Sequence, residues 1–256
     1  MSSAAMKPLS WLVPVALGAA ATLLYVRWHA ATGAPTDAPA TARLLVTEAA
    51  LHAARGESAA VEPAASGDSD AILRAALIAL IGQRAFDAYF IPSSIVRHIV
   101  ATVDGLPRAH ASVVQRPVQS HVGTFIATAD DQQSPLSEAN FARYQPYVQL
   151  GQKIDPAKLA AIYSHNQSLF QQAYADLGHT HESFGKRLLA CIDDLLAAPE
   201  PRDPVMVIRP NDAYQFADPS LEALSAGQKL MLRIGPENEA ALKAQLRALR
   251  AQLPTG

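Results

Sequence analysis

The stretch P-E-N-E-A-A-L-K-A-Q-L-R-A-L-R-A-Q-L, residues 236–253, decides the fold class of this chain. Leu242, Leu246, Leu249 and Leu253 recur at three- and four-residue offsets, which on a helix is one continuous apolar seam. Pro236 suits a helix start, because the N–H it lacks is one that a helix leaves unbonded there anyway. Lys243, Arg247 and Arg250 fall off the seam, so the reading turns them outward. A seam of this kind needs apolar partners.

The sequence upstream supplies them. Asp218-Pro219 opens a helical stretch to Ile234, and Phe184, Leu188, Cys191, Ile192 and Leu195 form one face of a helix over 182–197. Asp155-Pro156 caps and starts a run to Leu177 carrying Leu159, Tyr163, Phe170 and Tyr174, stopped by Gly178. Ser137 caps a helix with Phe141, Tyr144, Val148 and Ile154, bent at Pro146. Ile95, Ile99 and Val103 follow Pro92 and end at Gly105, while Ser69-Asp70 caps the face Ile72, Leu73, Ala76, Leu77, Leu80, Ile81. Fifty alanines suit helices better than sheets. Residues 106–135 differ, with prolines punctuating short β-branched runs and a strand candidate at Thr124–Thr128; Val205–Ile208 is a second short strand. The fold class expected is mainly α, with a short extended or β segment near 106–135.

The chain does not begin with this domain. Leu9 to Val26 is free of charge and, as a helix of 18 residues, reaches about 27 Å, the thickness of a bilayer core. Lys7 and Arg27 bracket it, and Trp11 and Trp28 stand where aromatic side chains meet a membrane interface. Arg27, Trp28 and His29 occupy the place where a signal peptidase needs small residues, so the segment reads as an uncleaved anchor. Residues 30–68, rich in Ala, Pro, Thr, Ser and Gly, have too little apolar bulk to offset the entropy of ordering. The organisation is therefore a short tail (1–8), an N-terminal transmembrane helix (9–28), a flexible linker (29–68) and one soluble helical domain (69–256).

Charge and motifs narrow the chemistry. Setting Lys7 and Arg27 aside from 21 basic residues leaves 19 against 23 acidic ones, which excludes a nucleic-acid partner. Cys191 is the one cysteine, so no intramolecular disulfide forms, and its place on a helix face makes it a small core residue. His179-Thr180-His181-Glu182 puts two imidazoles and a carboxylate within one turn, a candidate divalent-metal site to which His110, His121 or His165 would add a ligand. The spacing matches no standard zinc pattern. Ser183-x-x-Lys186 has the spacing of serine acyl-enzymes but lacks their companion motifs, and no phosphate-loop or nucleophile-elbow motif occurs. No cofactor is expected.

Phe216-Ala217-Asp218-Pro219, Leu221 to Leu230 (L-E-A-L-S-A-G-Q-K-L) and Arg233 to Asn238 (R-I-G-P-E-N) form a signature, with earlier blocks at Val100–Pro107, Phe170–Tyr174 and Leu195–Glu200. Together they resemble an uncharacterised family of proteobacterial membrane-anchored proteins, a domain of unknown function, over about residues 90–250. The resemblance implies a bacterial inner-membrane protein with its domain on the periplasmic side, and it brings no catalytic residue. Gln228, Lys229, Arg233 and Asn238 are polar residues concentrated within the signature, and they are the candidate binding surface. The function expected is that of a non-enzymatic envelope protein presenting a helical interaction domain to a protein or cell-wall partner. The alternative is a metal-dependent envelope hydrolase using His179, His181 and Glu182.

Overall fold

Residues 65–109, 117–118, 125–126, 133–210 and 214–254 are described in the computed structural model, and they fold mainly as helices with one small sheet. The expected anchor (9–28, with Lys7, Trp11, Arg27 and Trp28) and linker lie outside the described residues. Among the described residues no helix is long and apolar enough to cross a membrane.

Helix α1 (Ala65–Ile81) is already running when it reaches Ser69-Asp70, so that pair is not its cap. Asp70 serves another helix instead: its Oδ1 accepts the Val96 N–H at 3.2 Å, in the first turn of α3 (Ile95–Gly105). Ser94, ahead of α3, is left-handed at φ 54° and gives no side-chain cap, so Asp70 fills the role that a helix start needs. Gly82, at φ 83°, lets the chain break between α1 and α2 (Gln83–Tyr89).

The middle of the chain is cut into shorter helices than the periodicity suggests. Pro146 does not bend one helix. It lies in the first turn of α5 (Gln145–Gln152), separate from α4 (Glu138–Ala142). The Asp155 run divides at Asn166 into α6 (Pro156–His165) and α7 (Gln167–Asp176), because the Asn166 side chain donates to the Ile162 carbonyl at 2.8 Å and ends α6 from within. Asp155 caps as expected, its Oδ1 accepting from Ala157 and Lys158; α8 (Phe184–Leu196) starts two residues later than the spacing suggests, with Ser183 as its cap, Oγ accepting from Lys186. The Asp218 stretch also divides, into α9 (Pro219–Glu222) and α10 (Ala226–Ile234), before α11 (Pro236–Gln252).

Helix α8 is central, packed against α3, α7, α10 and α11, while α11 also lies on α5 and α6. The leucine seam is where its spacing puts it, with Leu242, Leu246, Leu249 and Leu253 all buried. Each contributes about 1.5–3 kcal/mol gross. Three antiparallel strands, β1 (Gln133–Pro135), β2 (Met206–Ile208) and β3 (Gln215–Phe216), lie in the order β1-β2-β3, Ser134 opposite Val207 and Val207 opposite Phe216. They cover a second, smaller core of Leu136, Val207, Phe216 and Leu232. The first strand is thus at 133–135 and not at Thr124–Thr128, of which Phe125 and Ile126 are described and are not in a strand.

Candidate functional site

The His179–Glu182 turn is built by the ends of three helices. Gly178, at φ 102°, swings the chain out of α7. The His179 ring then stacks on Tyr174, centroids 4.3 Å apart and planes within 11°. Its Nδ1 is 3.1 Å from Glu182 Oε1 and its Nε2 is 3.5 Å from Asp104 Oδ2, so both ring nitrogens face carboxylates. Tyr174 O–H donates to Glu182 Oε2 at 3.1 Å. Gln171 ties down the backbone, donating to Glu182 O and accepting from Phe184 N–H. Asp104, at the end of α3, also meets Arg187 Nε at 3.0 Å and Arg108 Nη2 at 2.5 Å.

This arrangement has chemical consequences. Hydrogen bonds from His179 and Tyr174 hold the Glu182 carboxyl below its ordinary range. Burial, helped by the bond to Glu182, pushes the Tyr174 phenol up to about 12. His181 is exposed and takes no part, and His165 sits at the end of α6; His110 and His121 lie outside the described residues. Among the described residues, no group of three or more His, Cys, Asp or Glu is set to hold a metal ion. His179 and Glu182 come together, then, but as a clasp joining α3, α7 and α8. Asp104, its centre, went unnoticed in the sequence; the signal was an acid just before Gly105 at the end of an apolar helix.

The four signature residues do not form an exposed face. Lys229 and Arg233 are each only 4% exposed. Lys229 Nζ reaches Glu222 Oε1 and the Glu222 carbonyl, both at 3.0 Å. The Arg233 guanidinium lies 5.0 Å above the Phe216 ring. Gln228 donates to Asp194 O, and Asn238 donates to Phe141 O and Ile234 O. These groups bind the chain to itself, joining α10 and α11 to α8, α9 and the sheet.

Lys243 is likewise turned inward, not outward: it is 2% exposed. Its ammonium meets Ala198 O at 2.7 Å, Glu200 Oε1 at 2.6 Å and Glu239 Oε1 at 2.8 Å. Burial raises the Glu239 carboxyl pKa, against the opposing pull of Lys243, and Lys243 lowers that of the exposed Glu200. A cleft of about 310 Å³ opens beside Glu239, walled mostly by apolar groups such as Leu136, Phe141, Leu232 and Pro236, with Glu200, Arg202 and Asp203 at its polar part.

The remaining feature is a chamber in the main core. It measures about 130 Å³, is partly open to the surface, and is lined by Leu73, Val103, Phe170, Cys191, Ile192 and Leu246, among others, from α1, α3, α6, α7, α8 and α11. The lining includes the Thr102 hydroxyl, which is already spent on His98 O at 2.8 Å. Burial pushes the Cys191 thiol up to about 12, so it is an apolar wall and no nucleophile.

A family model described as a protein of unknown function (DUF3014) matches residues 95–250. No curated protein and no solved structure gives a match.

Proposed function

The chain belongs to the DUF3014 family of unknown function, and we propose that it is a non-enzymatic interaction protein whose helical domain is held at a bacterial inner membrane, on the periplasmic side, by residues 9–28. The observation behind this reading is the fate of the ionisable groups inside the domain. Asp104 is occupied by Arg187, Arg108 and His179, Glu182 by His179 and Tyr174, Lys229 by Glu222, and Lys243 by Glu200 and Glu239. Acid–base or nucleophilic catalysis calls for a reactive group presented to a substrate, with a neighbour that activates it. Here the neighbours are spent on scaffold. The metal-hydrolase alternative gains no support: among the described residues no group of three or more His, Cys, Asp or Glu is set to hold a metal ion.

The layout suggests how such a module works. We take the Ala- and Pro-rich composition of residues 29–64, ahead of α1, as that of a flexible tether, and 36 residues of such a coil would give a root-mean-square reach of about 33 Å. The domain then searches a shell near the bilayer for a protein or cell-wall partner. In-cell crosslinking of the full chain, with mass spectrometry of what is captured, tests the reading, and a topology reporter fused after Gly256 tests the side of the membrane. Capture of one recurring envelope partner supports it. Recovery of the chain without any partner, or a reporter active only in the cytoplasm, overturns it.

A further inference from the structure

We infer that the chamber between α1, α3, α7, α8 and α11 is a binding site for a small apolar ligand, a hydrocarbon group of about the size of a benzene ring. Protein cores fill space as densely as organic crystals and leave few voids larger than a water molecule. A partly open apolar pocket of about 130 Å³ reaching into an otherwise interlocked core departs from that rule. The same core shows how tight its neighbouring contacts are: a Cβ added at Gly227 would sit 2.7 Å from Leu195 Cδ2, in the joint between α10 and α8.

The lining decides the chemistry of the occupant. Leu73, Val103, Ile192 and Leu246 offer only methyl groups, Phe170 a ring and Cys191 a thiol kept neutral by its surroundings. Of the two lining residues with hydroxyls, Thr102 is spent on His98 O and Tyr163 turns its hydroxyl toward Gln167 and Gly185, so the walls fall short of the two to four polar partners a water needs; dry apolar cavities of about this volume take up benzene or xenon. No charged side chain lines the chamber, so an ionic head would be left unpaired there. The occupant is therefore apolar throughout the enclosed part. Entry is along Ile99, Leu159, Ile162 and Leu188, the half-buried members of the lining. Ligand uptake depends on the domain's packing and not on the tether or on a protein partner.

Benzene is the probe. The full chain, refolded from urea to strip carried-over hydrocarbon and placed in lipid nanodiscs, is titrated while its Leu, Val and Ile methyl resonances are followed. Expected are saturable shifts at Leu73, Val103, Ile192 and Leu246 that share one dissociation constant, with Leu224 and Leu232 of the second core unmoved. Val103→Phe places a ring in the chamber and is expected to abolish the saturable response; should that variant not fold, Cys191→Leu replaces it. Shifts that rise linearly without saturation show partitioning into lipid only and overturn the inference. So does a saturable response that persists unchanged in the filled variant.

Discussion

Replacing Lys243 by Met keeps the length and most of the volume of the side chain but deletes its charge. Two acceptors, Ala198 O and Glu200 Oε1, lose their donor, and the Glu239 carboxylate loses its ion-pair partner. Glu200 is largely exposed and rehydrates, so its loss is small. Glu239 is 2% exposed and becomes a lone buried charge, and removing one member of a buried pair costs about 3–5 kcal/mol. The double variant Lys243→Met/Glu239→Leu removes that charge as well. Only the Ala198 carbonyl is then left wanting, at about 1–3 kcal/mol. Urea unfolding of the full chain in detergent, followed by far-ultraviolet circular dichroism, is expected to show the double variant more stable than the single. The pH dependence carries a second check. With Lys243 gone, Glu239 has a folded pKa well above its unfolded one, so the folded state holds a proton that the unfolded state releases. Stability is then favoured at low pH and lost as pH rises through the folded value, and the single variant is expected to be hurt less in mild acid than at neutrality. A single variant within about 1 kcal/mol of the parent, or a double variant no better than the single, would refute the account of a buried, paired charge.

Other expectations follow from the same geometry. Gly235→Ala meets two penalties, a φ of 88° and a new Cβ 2.4 Å from Phe141 Cγ, and is expected to lower unfolding free energy by about 2–4 kcal/mol in the same urea assay. Glu182 has a folded pKa below the ordinary 4.5, so its contribution is present above that value and is lost as pH falls through the folded one. Glu182→Gln should therefore flatten the decline of the thermal midpoint in acid, and an unchanged decline would remove Glu182 from the clasp. Cys191 is expected to resist a thiol reagent in the folded chain and to react fully once urea unfolds it. Rapid labelling of folded chain would show that the chamber wall is open to water.

The apolar seams were legible because a helix repeats its face every three or four residues and burial selects for that repeat. Leu242 to Leu253 and Phe184 to Leu195 came through on this ground, and the helix starts at Asp155 and Asp218 on their Asp-Pro pairs. The breaks did not. Asn166 ends α6 by a side-chain bond to Ile162 O, a local competition that periodicity does not record. Asp70 looked like the cap of its own helix, yet caps one that begins 25 residues later, a pairing visible only once α1 and α3 lie together. Lys243 misled for a related reason. It falls off the leucine seam, and off-seam usually means solvent; here the segment from Ala198 to Glu200 folds over it, and no helical wheel contains that segment. The His179–Glu182 turn was legible as a cluster but not as a clasp, since the carboxylate that completes it, Asp104, is distant in sequence.

The C-terminal signature takes on a different meaning in this light. Polar residues in an apolar setting can mark a surface awaiting a partner or joints within the fold, and the two readings separate on burial. Arg233 and Lys229 belong to α10, the helix that contributes Leu230, Met231 and Ile234 to the main core and Leu232 to the smaller one. Their charges face Phe216 and Glu222, on β3 and α9. Gly235 then turns the chain with Phe141 pressed against it, and Asn238 ties the first turn of α11 back to the carbonyls of Phe141 and Ile234. One short block thereby fastens the sheet to the helical core. The polar residues of the signature are joints of the fold, which hold the sheet, α9 and the start of α11 in place around α10.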